Sequence, residues 1–174
     1  MDIVIERARY EQSEELLKLN KSVWCQAYKG IVDDEIIAER FERRLSSQGI
    51  KHFAEYIESC TNFYVAVNTE DNKIVGYVDF GMCRLDEKYK DHGEIYAIYV
   101  SPDCQRGGIG QKLLDFAIEY FKQRNINKIF LTTFQKNMIG LNFYKNNNFI
   151  IIKELPKGTW HDNAVDELLL SKEI

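Results

Sequence analysis

Proline is nearly absent from this chain: of 174 residues only Pro102 and Pro156 are prolines, and no Pro-, Gly- or Ser-rich stretch reads as a linker. With no linker and no internal repeat, nothing marks a domain boundary, and one domain over residues 1–174 is expected. No apolar run reaches the ~20 residues that a membrane span needs. The opening MDIVIERARY alternates like a strand instead of setting a basic segment before an apolar one, so no leader is expected and the protein is read as cytoplasmic, without a membrane partner. Positive charge is also short. Lys and Arg number 23 against 27 Asp and Glu, a net charge of -4, which lacks the basic excess a nucleic-acid binder uses to neutralise phosphates. The cysteines Cys25, Cys60, Cys83 and Cys104 form no C-x-x-C pair and have no histidine at ligand spacing. Four free thiols and no metal are expected.

What is present suits a soluble domain with a full core: 45% hydrophobic and 29% charged residues. Ile3 and Ile5 alternate with polar neighbours as a first strand, after which Leu16, Leu17, Leu19, Val23 and Trp24 recur at helical intervals in a helix near 12–26. Asp33 is placed to cap a helix carrying Ile36, Ile37, Phe41 and Leu45, and Phe53, Tyr56, Ile57 and Cys60 continue the helical pattern. The period then falls to two. Phe63–Val67 and Ile74–Phe80, joined across Glu70-Asp71-Asn72, read as an antiparallel pair, and Glu94–Val100 as the next strand. Leu113, Leu114, Ala117, Ile118 and Phe121 share one helical face; a strand over Ile129–Thr133, a helix over Asn137–Asn147 and closing strands over Phe149–Ile152 and Val165–Leu170 follow. The order predicts an α+β fold with a mixed, mostly antiparallel sheet of about seven strands and about four helices.

The densest signal is Glu94–Gln111, EIYAIYVSPDCQRGGIGQ, where an apolar strand passes through a proline turn into a glycine-rich loop that opens a helix. The first N–H groups of a helix have no partner within it and lie at the positive end of its dipole, so an anion fits there. Gly107, Gly108 and Gly110 put no side chain in the way of a diphosphate. Spacing sorts the possible owners of such a loop. A P-loop requires Ser or Thr after its lysine, and Lys112 is followed by Leu113; a dinucleotide site requires an acidic residue further on, and Lys128–Phe134 has none.

What remains, Gln105-x-x-Gly108-x-Gly110, resembles the Q/R-x-x-G-x-G/A signature of the GCN5-related N-acetyltransferase (GNAT) family. The preceding strand, Glu94-Ile95-Tyr96-Ala97-Ile98-Tyr99-Val100, then Ser101-Pro102, has the family's form E-I-x-x-[IL]-x-V before a proline turn. Downstream, Asn137, Gly140, Phe143, Tyr144, Asn148 and Phe149 fall at the offsets of its N-x-x-A-x-x-F-Y-x-x-x-G-F pattern. Gly140 stands where Ala is usual, at about 1 kcal/mol of helix propensity, and Asn148 where Gly is usual, a position Asn tolerates in the left-handed conformation.

The resemblance implies acetyl-CoA as co-substrate, no metal, and direct transfer of acetyl to a primary amine. It assigns the pyrophosphate to the amides of Arg106, Gly107, Gly108, Ile109, Gly110 and Gln111 behind Gln105, and the pantetheine arm to the backbone of Ile98, Tyr99 and Val100. Asn137 and Tyr144, about two helical turns apart, are placed to meet the same ligand. Tyr144 is the expected proton donor to the departing thiolate, with Phe143 as its core neighbour. Glu94 holds the position of the family's general-base glutamate, with a plain strand-end carboxylate as the alternative. Trp24 and Tyr28, with Gly30, resemble the loop lining the acceptor cleft. Asp79, within a strand, pairs with a substrate ammonium or sits on an exposed face, and the exposed face is the weightier reading. Cys83, Cys104, His92 and His161 are read as structural or exposed. The expected acceptor is a small, polyamine-like amine; a protein or peptide amine and a non-catalytic CoA-binding sensor are the alternatives. Oligomeric state is open, a homodimer being allowed.

Overall fold

In the computed structural model, which describes residues 2–156 and 165–174, seven strands form one sheet in the order β1-β2-β3-β4-β5-β7-β6. They are β1 Ile3–Arg7, β2 Phe63–Asn68, β3 Lys73–Met82, β4 Gly93–Val100, β5 Lys128–Phe134, β6 Ile150–Leu155 and β7 Glu167–Glu173. All neighbours run antiparallel except β4 and β5. The α+β expectation holds, and the turn before β3 closes through Asn72 at φ 57°, a left-handed angle that Asn accepts more readily than most residues. His161 lies outside the described residues.

Among the described residues the α-helices number five, not four: α1 Ser13–Ala27, α2 Asp34–Arg44, α3 Ser47–Ser59, α4 Ile109–Lys122 and α5 Met138–Asn146. The region after Asp33 splits where Leu45 ends α2 and Ser46 starts α3, its hydroxyl accepting from Gly49 N at 3.1 Å. Continuous apolar periodicity hid this break, because a capping serine interrupts the backbone without shifting the buried stripe far. Asp33 does precede α2, but its side chain makes no cap hydrogen bond.

Two faces are covered separately. Leu16, Leu19 and Val23 of α1 pack with Ile57 of α3 against Phe63, Val65 and Tyr77 on one face. On the other, Leu113, Leu114, Ala117 and Phe121 of α4 bury against Val78, Phe80, Ile95 and Ile129. Leu114 is 0% exposed, so Leu114→Ala costs about 2–5 kcal/mol and loosens the helix whose first turn carries the glycine loop.

β4 and β5 hold together only at their starts. Their parallel register covers Gly93↔Ile129 and Glu94↔Phe130, and beyond that the two strands diverge. A bulge in the β3–β4 ladder sets Asp79 opposite Ala97 and Phe80 opposite Ile95, leaving Tyr96 as the extra residue. The sheet therefore opens in its middle, with the rest of β4 on one lip and Thr132–Phe134 on the other.

Candidate active site

The opening leads into a cavity of about 1410 Å³ walled by α1, α2 and α3 on one side and by β4, the glycine loop, β5 and α5 on the other. At the loop, Gly108 is the N-cap of α4 with φ 77° and no side-chain cap. A Cβ on Gly108 would meet no protein atom within 4 Å, and one on Gly107 only Cys104 O at 3.4 Å. The glycines thus leave open space above the helix start, and Arg106 at φ 65° bends the chain around it. The unpaired first-turn amides of α4 suit a diphosphate on this ground.

Two glutamines that flank the glycines are tied away from this space. Gln105 Nε2 donates to Val100 O at 3.3 Å, fastening the loop to the end of β4. Gln111 Nε2 donates to Asp115 Oδ1 and to Asn147 Oδ1, both at 2.8 Å. Ile98, Tyr99 and Val100 line the cavity beyond the point where β4 leaves β5, so this stretch offers an edge on which an extended chain can lie.

Asn137 and Tyr144 both line the cavity, as their spacing predicts. Asn137 caps α5, its Oδ1 accepting from Gly140 N at 3.1 Å while its Nδ2 donates to Thr133 Oγ1 at 3.3 Å. The departure at Gly140 has a local cause here: a Cβ there would lie 2.5 Å from Asn137 Nδ2. Asn148, at φ 62°, takes the left-handed position that lets Phe149 N donate to Tyr144 O at 3.0 Å and closes the helix. Tyr144 is half-buried between Phe143 and Phe149. Desolvation, and after it Tyr99, push its pKa above the ordinary tyrosine value, so the phenol stays neutral and able to donate.

Across the cavity, Trp24 Nε1 donates to Tyr99 OH at 3.1 Å, and Tyr28 packs edge-on against Trp24 and Phe134. Trp24 and Tyr28 are buried at 7% and 8% exposure; the edge they offer the cavity belongs to helix α1 and its end.

Asp79 is not on an exposed face. It is 7% exposed, lines the cavity, and its Oδ2 accepts from the Tyr56 hydroxyl at 2.7 Å. Its Oδ1 is buried with no hydrogen-bond partner among the described residues. Alternation alone could not show that α3 roofs this part of β3. Burial pushes its pKa up to about 6; the Tyr56 hydrogen bond and Arg84 oppose this, and the Glu94 charge adds to it. Glu94 itself is 7% exposed with Oε2 accepting from Arg84 N at 2.7 Å, and is not among the described residues lining the cavity. Two groups escaped the sequence reading altogether: Tyr56, taken as a core aromatic, and Arg40 with Arg44, whose positions nothing in the helical pattern ties to the cavity.

A family model described as "Acetyltransferase (GNAT) family" matches residues 29–149, a span that includes the loop, both lips of the opening and α5. The chain belongs to that family. With this membership comes the enzyme class, an acetyl-CoA-dependent acyltransferase. Among curated relatives, the uncharacterized N-acetyltransferase YuaI of Bacillus subtilis is 25% identical over 98% of this chain and 99% of its own length. The spermidine N(1)-acetyltransferase of Thermoplasma acidophilum is 24% identical over 86% of this chain and 89% of its own. Of solved structures, a Thermoplasma acidophilum PaiA N-acetyltransferase crystallised with coenzyme A superposes with TM-score 0.79 at 21% identity, over 100% of both chains. At that identity it attests the fold. No described helix of the GNAT chain is long and apolar enough to cross a membrane.

Proposed function

We propose that this protein transfers acetyl from acetyl-CoA to the primary amine of a small molecule, directly and within a ternary complex. The observation that carries the reading is the parting of β4 from β5 after Glu94 and Phe130, which puts the amides of the glycine loop, Tyr144 and Asp79 around one cavity. Acetyl-CoA supplies the activated thioester. Ile109, Gly110 and Gln111 hold its diphosphate through their amides, the backbone of Ile98, Tyr99 and Val100 aligns its arm, and Asn137 braces the start of α5 beside it.

An amine such as lysine's has a pKa near ~10.4 and arrives mostly as ammonium, so it must lose a proton before it attacks. Asp79 receives that ammonium. Its unpartnered Oδ1 accepts a proton from the nitrogen, and a carboxyl raised to about 6 is still ionised at neutral pH yet more basic than an ordinary aspartate. Glu94 acts behind it, sustaining Asp79's proton affinity through its charge. The neutral nitrogen then attacks the thioester carbonyl, the C–S bond breaks as Tyr144 gives its hydroxyl proton to the departing thiolate, and the proton that the nitrogen still sheds restores the phenol. Trp24 and Tyr28 wall the acceptor half.

The relative named as a spermidine acetyltransferase supports a small-molecule amine, and helices α2 and α3 over the acceptor half favour it over an extended peptide. The test is release of free thiol from acetyl-CoA with polyamines, aminoglycosides, amino acids and peptides as separate acceptors. Turnover with a free amine supports the reading. Acetyl-CoA binding with no thiol above the hydrolysis background, for any acceptor, would leave a CoA sensor instead.

A further inference from the structure

We propose that the acceptor carries a carboxylate as well as its amine, and that Arg40 and Arg44 of α2 are its anion site; this rests on the acetyl-transfer reading above. The wall that α2 and the start of α3 turn to the cavity bears Arg40, Arg43, Arg44 and Lys51 against the single carboxylate of Glu55. Glu55 is taken, lying 3.9 Å from Lys51 Nζ. None of the three arginines has an ion pair among the described residues.

Arg43 is exposed, but Arg40 and Arg44 are half-buried and one helical turn apart. The Arg40 guanidinium stacks over Trp24 at 4.3 Å and that of Arg44 over Phe53 at 5.4 Å. Arg40 Nε and Arg44 Nε are shut from solvent and meet no hydrogen-bond partner among the described residues. A buried donor on a charged group without an acceptor costs more than the same group in water. Two such forks side by side, on aromatic shelves that fix their planes, match the geometry that pairs bidentately with a carboxylate.

The stacked pair Phe53 and Tyr56, with ring centroids 6.3 Å apart, links this site to Asp79, because Arg44 lies over Phe53 while Tyr56 holds the Asp79 carboxylate. The acceptor half is therefore polarised, cationic under α2 and anionic at β3. A polyamine would place like charge against the arginines. A molecule with an ammonium at one end and a carboxylate at the other fits both.

The test uses amino acids, amino alcohols and diamines of matched chain length as acceptors, together with Nε–H NMR signals of the arginines. The expected result is a preference of about tenfold or more in kcat/KM for the amino acids, as a site built to pair a group rejects analogues lacking it. That preference should fall to about unity in Arg44→Gln and in Arg40→Gln, and be largely kept in the lysine variants. In the wild-type protein the Arg40 and Arg44 signals should shift on adding N-acetylamino acids and stay still with the corresponding N-alkylacetamides. If no amine is acetylated but the carboxylate still moves those signals, the transfer reading fails and the anion site stands. Unmoved signals, or diamines preferred over amino acids, would overturn the site, as would the same signals answering to coenzyme A alone.

Discussion

The Tyr56 hydroxyl donates to Asp79 Oδ2 at 2.7 Å, so a side chain of α3 fixes one oxygen of a carboxylate on β3, while the other oxygen is buried with no hydrogen-bond partner among the described residues. In the proposed reaction this pair is a positioned base. Tyr56→Phe should remove the clamp and not the carboxylate: the pKa of Asp79 rises further, because the hydrogen bond lowers it. The acidic limb of the kcat/KM profile then moves to higher pH. A limb that stays in place would show that Asp79 is not the titrating group.

Asp79→Asn separates activity from stability. Turnover should fall about 100-fold or more, the usual scale for loss of a general base. The sign for stability is opposite: a carboxyl at about 6 when folded, against 3.8 ordinarily, binds more protons folded than unfolded between those values. Its stabilising share is complete below pH 3.8 and is lost as pH rises through about 6. The full shift is worth roughly 3 kcal/mol, an upper bound for what Asn regains at pH 8. Urea melts across pH 4 to 8 check it: the variant should lose the wild type's decline and exceed its stability at the alkaline end.

Glu94→Gln tests whether that glutamate works directly. Its charge raises the Asp79 pKa, so the neutral variant should shift the acidic limb to lower pH and lower the rate modestly. Loss of about 100-fold with an unmoved limb would instead make Glu94 the base.

Much of the fold, and the placement of the glycine loop, Asn137 and Tyr144 around the candidate site, were legible because their signals are local. The alternation of β1–β4, the apolar face of α4, the glycine spacing and the Asn137-to-Tyr144 interval are each set by neighbours within two or three turns of chain. Asp79 was misjudged because its burial depends on α3, folded over it from a distant part of the sequence; no period within Tyr77–Phe80 encodes a roof. Arg40 and Arg44 were silent for the same reason, since arginines on a helix read as a solvated face until the cavity behind them is seen. The α2–α3 break was missed because a serine cap leaves hydrophobic spacing nearly intact.

Gly108→Ala should fail through the backbone. At φ 77° a Cβ strains the left-handed conformation by about 1 kcal/mol, although the space beside it is open. That space is where the diphosphate is proposed to lie. The expected outcome is a small drop in melting temperature with a weakening of coenzyme A binding by about tenfold or more, measured by calorimetry. Equal affinity in the variant would move the diphosphate off the start of α4.

Tyr144→Phe keeps the ring that packs between Phe143 and Phe149 and deletes only the hydroxyl. Acetyl-CoA affinity should change by less than about twofold, while kcat falls about 100-fold, the scale of a lost general acid. Because burial and Tyr99 push the phenol's pKa up, the wild-type rate should show no alkaline loss in the ordinary tyrosine range near ~10. Donor chemistry discriminates further. A donor thioester whose leaving thiol is more acidic needs less help from the phenol, so the gap between wild type and variant should narrow with such a donor. A constant gap would mean that the hydroxyl places the thioester without giving it a proton, and rate and affinity would then fall together.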